Sequence, residues 1–226
     1  MPNDDGHMTD FDRFGRITAS VVPAILRSSK QSRKWAWRVI TGREPITGYA
    51  GHDIIRGLEH EEDAVAVVEV QLAALALPGK FVAHRDIAWL GASPDGFIVE
   101  RLRAGRTFRD VSIPIEAKCP REVHCAIPLM YYDQVQTQIE CCDAPHAYFV
   151  SWTGERQYVE KIVRDPAWWT KNYPILKEFY EEFVVKDVEP PRSARRKKEK
   201  ADGPASESDS GSDPGTKDAG QAVGRT

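Results

Sequence analysis

Ser93-Pro94-Asp95-Gly96 is followed about twenty residues later by Ile115-Glu116-Ala117-Lys118. An acid beside a turn, then Glu-x-Lys in an apolar run, are the residue types that metal-assisted cleavage of a phosphodiester requires. Successive strand side chains alternate between faces, so Glu116 and Lys118 point one way while Ala117 points into a core. If the strand bearing Asp95 lies alongside, two carboxylates and an ammonium converge. Carboxylate oxygens suit a hard divalent cation, Mg²⁺ or Mn²⁺. Such a cation polarises a phosphate and acidifies a bound water, and Lys118 is placed to orient that water or to stabilise charge. The alternative is a plain hairpin turn at Asp95-Gly96 and a solvated strand face at Glu116 and Lys118.

The elements that must position these residues read as follows. Thr18-Ala19-Ser20 opens a helix over Val21 to Leu26, with a hydroxyl in the capping role. Lys34 to Thr41 forms a second helix, closed by Gly42. Ile54 to Leu77 is the longest helical pattern, acidic in its first half and mostly buried in its second, and Pro78-Gly79 ends it. Three strands are predicted next, over Phe81 to Leu90, Gly96 to Arg101 and Val111 to Lys118, with Arg103 to Asp110 as a polar loop. A helix over Pro128 to Cys142, strands at Ala147 to Trp152 and Gln157 to Val163, and a helix over Pro166 to Val185 complete the order. This order argues for an α+β, three-layer α/β/α-like fold around a central mixed sheet.

The 226 residues allow one domain with a core, predicted over 11–186, behind a loose arm at 1–10. From 187 to 226 the chain turns to Pro, Ser, Asp and Gly around Arg195-Arg196-Lys197-Lys198, a composition that predicts a disordered charged tail. No long apolar run or secretory leader is seen, so the expectation is a protein without membrane contact, in the cytoplasm or, in a eukaryotic host, the nucleus. Cys119, Cys125, Cys141 and Cys142 lack paired spacing, which argues against a zinc or iron–sulfur centre.

The net charge of −3 does not announce a polyanionic partner, but its distribution is uneven. Arg13, Arg16, Arg27, Lys30, Arg33, Lys34, Arg38 and Arg43 face only Asp12 and Glu44 between Phe11 and Pro45. Between Gly51 and Val70 the sign reverses. A basic element beside an acidic one suits a protein that grips phosphates with one and a metal with the other.

Further segments fit this chemistry. Glu61, four residues after Gly57 on the long helix, offers a third carboxylate; Glu59, Glu62 and Asp63 are the exposed neighbours. Tyr131 and Gln134 share a helix face, and the Gln134 amide is suited to bonding a water, a phosphate or the lysine. Arg13, beside the helix start bearing Ser20, makes an anion pocket, and the Ser93 hydroxyl can reach a phosphate.

Together, R-x-G-x-I-T-A-S (Arg13 to Ser20), G-x-x-x-E (Gly57, Glu61), S-P-D-G (Ser93 to Gly96), E-x-K-C-P (Glu116 to Pro120) and Y-x-x-Q-V-Q (Tyr131 to Gln136) resemble the lambda-exonuclease/YqaJ viral recombinase family of PD-(D/E)xK nucleases. The resemblance implies a restriction-endonuclease-like core. It implies that Asp95, Glu116, the Ala117 carbonyl and Glu61 hold Mg²⁺, that Lys118 and Gln134 serve the attacking water, and that Arg13, Ser20, Ser93 and Tyr131 meet the DNA and its 5′-phosphate. The implied activity is 5′→3′ digestion of one strand from double-stranded DNA ends, leaving a 3′ overhang for a single-strand annealing protein, in some members by a homotrimer. An endonuclease on the same core and a catalytically idle DNA-binding scaffold are the competing readings. The short linker Arg121 to Met130 and the tail depart from the family pattern.

Overall fold

In the computed structural model, residues 13–27, 30–45 and 52–191 are described. The arm predicted at 1–10 and the tail beyond Pro191 lie outside them. Strand β1 (Ile17–Thr18), a short 3-10 turn, and helices α1 (Val22–Leu26) and α2 (Lys30–Ile40) lead to α3 (His52–Leu72). Strands β2 (Ala76–Pro78), β3 (Val82–Ala83), β4 (Leu90–Ala92), β5 (Gly96–Ala104) and β6 (Thr107–Lys118) follow. Helix α4 (Leu129–Cys142), β7 (His146–Trp152), β8 (Gln157–Val163) and α5 (Pro166–Phe179) complete the order, and α5 relaxes into a π-helical turn over Tyr180–Val184.

The mixed sheet has the order β2-β5-β6-β7-β8, with β6 and β7 parallel and the other pairs antiparallel. Two parallel neighbours need a crossover, and α4 supplies it. Alternation along β6 sends Ile113, Ile115 and Ala117 to one face, where Ala64 and Val68 of α3 cover them. Val135 and Ile139 of α4 pack on the other face against Ala147, Phe149 and Ile162. A separate three-stranded sheet, β1-β4-β3, joins α1, α2 and α5 through Ile17, Ile25, Trp37, Leu176 and Phe179. Among the described residues, no helix is long and apolar enough to cross a membrane.

Five expectations are corrected. The long helix stops at Leu72, where Ala73 takes a left-handed conformation (φ 49°), and the Glu69 carboxylate accepts the Ala76 N–H (2.6 Å) to turn the chain into β2. Val70 and Leu75, expected to be buried, are more than four-fifths exposed. The strand expected over Phe81 to Leu90 is instead two short ones around a loop, closed by Nδ1 of His84 accepting from the N–H groups of Asp86 (3.1 Å) and Ile87 (3.2 Å). The loop expected over Arg103 to Asp110 is strand, because Gly105 (φ 64°) gives the positive φ that a two-residue hairpin turn needs. Finally, the first residues assigned to the tail are pinned: Asp187 pairs with Arg43 (2.8 Å) and Glu189 with Lys34 (2.7 Å).

Candidate active site

Asp95 enters β5 with its N–H bonded to the Ile115 carbonyl (3.0 Å), which fixes it beside the end of β6. Its Oδ2 accepts the Ala117 N–H at 2.6 Å. Glu116, on the opposite face of β6 from Ala117, has no solvent exposure. Oε1 of Glu116 accepts from Lys118 Nζ and from Gln134 Nε2 (2.6 Å), and its Oε2 accepts from Gln138 Nε2. Lys118 Nζ also donates to the Ala117 carbonyl (3.1 Å) and lies 5.3 Å from the centre of the Tyr131 ring. A buried carboxylate needs hydrogen-bond donors, and the lysine and two glutamines of α4 provide them. The alternation of β6 and the facing helix thus bring Glu116, Lys118, Gln134 and Tyr131 together as expected.

Charge at this centre is unbalanced. Burial pushes the Asp95 carboxyl well above the usual carboxylate range; the Glu116 charge adds to this, the Lys118 ammonium opposes it, and Glu61 adds again. Burial also raises Glu61, against the pull of Lys118, while Glu59, Glu62 and Asp63 stay exposed. Burial alone would lower the Lys118 ammonium, but Glu116 and Asp95 outweigh it, and the net direction is upward. Three acids around one lysine leave excess negative charge, which a divalent cation would neutralise. Among the described residues, no three His, Cys, Asp or Glu side chains close on one point as a ready-made cage. The donors nevertheless suit Mg²⁺, which keeps several waters and takes one or two carboxylates. Asp95 Oδ1, which accepts no hydrogen bond among the described residues, and the Ala117 carbonyl are hard oxygens of that type.

A cleft of about 840 Å³ opens beside Asp95, walled by Glu61 and Glu69 of α3, Leu77 of β2, Lys80, Ser93 and Arg13. Arg13 Nη2 donates to Ser93 Oγ (3.2 Å), and its buried Nε has no partner among the described residues. Ser20 does not line this cleft; its exposed hydroxyl meets Thr18 Oγ1 (3.2 Å). Gly79 lines the cleft against Pro94 and Asp95. A Cβ there would stand 2.3 Å from the Pro94 carbonyl oxygen and 2.8 Å from that of Asp95.

Gln138 and Gly79 escaped the sequence reading. Gln138 stands four residues after Gln134, hence on the same helix face, and that spacing was the available signal. Gly79 lay inside a Pro-Gly pair that reads as a helix stop. The basic run expected to grip phosphates is largely neutralised internally: Arg27 pairs with Asp133 (2.5 Å), and Lys34, Arg38 and Arg43 pair with Glu189 or Asp187.

The model of the YqaJ-like viral recombinase domain matches residues 11–149, more than half of the chain, including Arg13, Glu61, Asp95, Glu116, Lys118 and Gln134. The chain belongs to the YqaJ-like viral recombinase family. Its fold is similar to that of an alkaline exonuclease from Laribacter hongkongensis, LHK-Exo (TM-score 0.62, 25% identity, covering 78% of this chain and 91% of that one). LHK-Exo in complex with dAMP matches with the same coverage at 23% identity and a TM-score of 0.62. A phage-related exonuclease from Haemophilus somnus 129PT shares the fold at 13% identity (TM-score 0.53), covering 76% of this chain and 96% of that one. Among curated proteins, none matches. The YqaJ assignment accords with the α+β core, in which helices flank a mixed sheet.

Proposed function

We propose that this protein is a Mg²⁺-dependent exonuclease that digests one strand of double-stranded DNA from its 5′ end, leaving a 3′ overhang for recombination or viral genome processing. Family membership and the likeness to an alkaline exonuclease support a nuclease role. The observation that carries the reading is the cluster of Glu116, Lys118 and Gln134 beside Asp95, which itself lines a cleft with Arg13 and Ser93. Asp95, Glu116, the Ala117 carbonyl and Glu61 would hold the cation, which supplies Lewis acidity and an acidified water when bound. Lys118 stays charged beside Glu116, so it serves as a fixed donor that orients the nucleophile or steadies charge on the phosphate. Gln134 holds Glu116 and is within reach of the same water. At the other end of the cleft, Arg13 and Ser93 present donors to a terminal phosphate, which carries more charge than an internal diester. That arrangement favours entry from a 5′-phosphorylated end.

The test is end-labelled linear duplex with and without a 5′-phosphate, beside a closed circle, each with Mg²⁺ or EDTA. Mg²⁺-dependent loss of linear duplex, faster with the phosphate and with circles intact, is expected; cleaved circles would replace the proposal with an endonuclease. Arg13→Ala should shrink the preference for phosphorylated ends, and an equal loss on both kinds of end would remove the pocket from the account.

A further inference from the structure

Among the described residues, a group of arginines without ion pairs lies at the opposite end of β5 and β6 from the site. Pairing of β2 with β5 ends at Ala76 and Ile98, and pairing of β7 with β6 begins only at Ile115. Beyond those points, Val99 to Ser112 run as a two-stranded arm turning at Gly105. A lone hairpin is marginal in water, so an arm that extends past its sheet is kept for what it touches. Arg101, Arg103, Arg106 and Arg109 are all exposed on it, and none forms an ion pair among the described residues. Of the two acids on the arm, Glu100 is held by Tyr148 (2.8 Å) and His146 (3.1 Å) on the other face, leaving Asp110 opposite Arg101.

The register sets the direction of the arm's charge. Arg101 and Arg103 alternate with Glu100 and Leu102, so they share a sheet face with Asp95, Val99 and, across the pair, Phe108 and Asp110. Past Val99 that face is bare: Val99 is 47% exposed and Phe108 61%. The Arg101 guanidinium lies 5.6 Å from the Phe108 ring centre, which orders the cation while leaving it in water. Arg101 and Arg103 stand six and eight residues beyond Asp95 on an extended strand. At about 3.3 Å per residue this is roughly 20–27 Å, or about six to eight base pairs of duplex.

We propose that the β5–β6 arm is a second DNA contact, binding the phosphate backbone of the undigested duplex several base pairs inward from the end held in the cleft. The inference rests on the exonuclease reading and adds the element that grips the rest of the substrate. A polyanion fits four arginines that lack ion pairs among the described residues, whereas Lys34 and Arg38 of α2 already pair with Glu189.

The test compares the full chain with the triple variant Arg101→Gln, Arg103→Gln, Arg106→Gln, binding a long blunt duplex in EDTA across a salt series. Each lost phosphate contact lowers the slope of log K against log salt by about 0.9, so the slope should fall by about 2 to 3. Affinity near physiological salt should fall roughly tenfold. A hydroxyl-radical footprint should lose protection about six to eight base pairs inward while the terminal nucleotides stay protected. Arg→Lys at the same three positions should restore most of the slope, since a phosphate reads charge. An unchanged slope and footprint would overturn the proposal and leave the arginines as guards of an open strand edge. So would a change in oligomeric state by light scattering at unchanged affinity, which would make the arm a contact between copies. Digestion by the unaltered chain in Mg²⁺ is scored separately: if it fails while the binding differences hold, the exonuclease reading falls and the DNA contact stands.

Discussion

Two acids stand five residues apart, Asp95 just before β5 and Glu100 within it, and their surroundings push them in opposite directions. At the site end, burial and neighbouring carboxylates hold Asp95 well above its usual range, outweighing the Lys118 ammonium and the one backbone N–H that oppose them. Nearer the arm, burial also raises Glu100, but the Tyr148 and His146 hydrogen bonds outweigh it and the net direction is downward. One acid is left short of donors and the other is fully served. A fold whose only business was stability would serve both, and in the proposed function the deficit at Asp95 is where the cation would sit. The arm beyond Glu100 shows the reverse imbalance, an excess of unpaired positive charge in open solvent.

The sharpest way to break the contrast is at Lys118, the cation that donates to Glu116. Lys118→Ala should lower Mg²⁺-dependent digestion by about 10³-fold or more, the range of a lost catalytic proton or charge partner. It should also lower unfolding stability by about 3 kcal/mol, because Glu116 is left a buried anion with only its two glutamine donors. Digestion assays paired with urea unfolding read both. A folded variant with full activity would remove Lys118 from the chemistry.

Gly79→Val probes how tightly the same end is built. Its new Cβ would meet backbone atoms of Pro94 and Asp95, which cannot swing aside as a side chain would. Stability should fall by about 2 kcal/mol, as for overpacking. Turnover should fall by about 10²-fold, as for a displaced catalytic group, with KM changing less. An equal loss in both measurements would mean that Gly79 serves only the fold.

How far the sequence could foresee these two ends follows from the range of the interactions involved. Glu116, Lys118 and Ala117 were legible because strand alternation is a local rule, and Gln134 because it sits on a strongly patterned helix. The helical crossover between β6 and β7 was legible for the same reason. Ala76–Pro78 was not, because its strand state comes from Glu69 reaching seven residues forward and from an open edge at β5. Arg103 to Asp110 resembled a loop because exposed strands on both sides of a turn carry the same polar residues as loops do. The neutralised basic run was misjudged for a tertiary reason, since Asp187 and Glu189 lie more than a hundred residues from their partners.

The smallest expected effect lies at the well-served acid. The folded carboxyl of Glu100 lies below its ordinary 4.5, so it adds stability above that value, which is lost as pH falls through its folded range. Glu100→Gln keeps the shape but removes the carboxylate charge that accepts from Tyr148 and pairs with His146. At pH 7 it should cost about 1 kcal/mol, the net worth of such hydrogen bonds. Below pH 4.5 the gap between the two proteins should close, because the unaltered chain then carries a neutral acid as well. Urea midpoints at a series of pH values measure this gap. A gap that stays constant into acid would show that packing, rather than the ionised carboxylate, sets the worth of Glu100, and the contrast with Asp95 would then rest on burial alone.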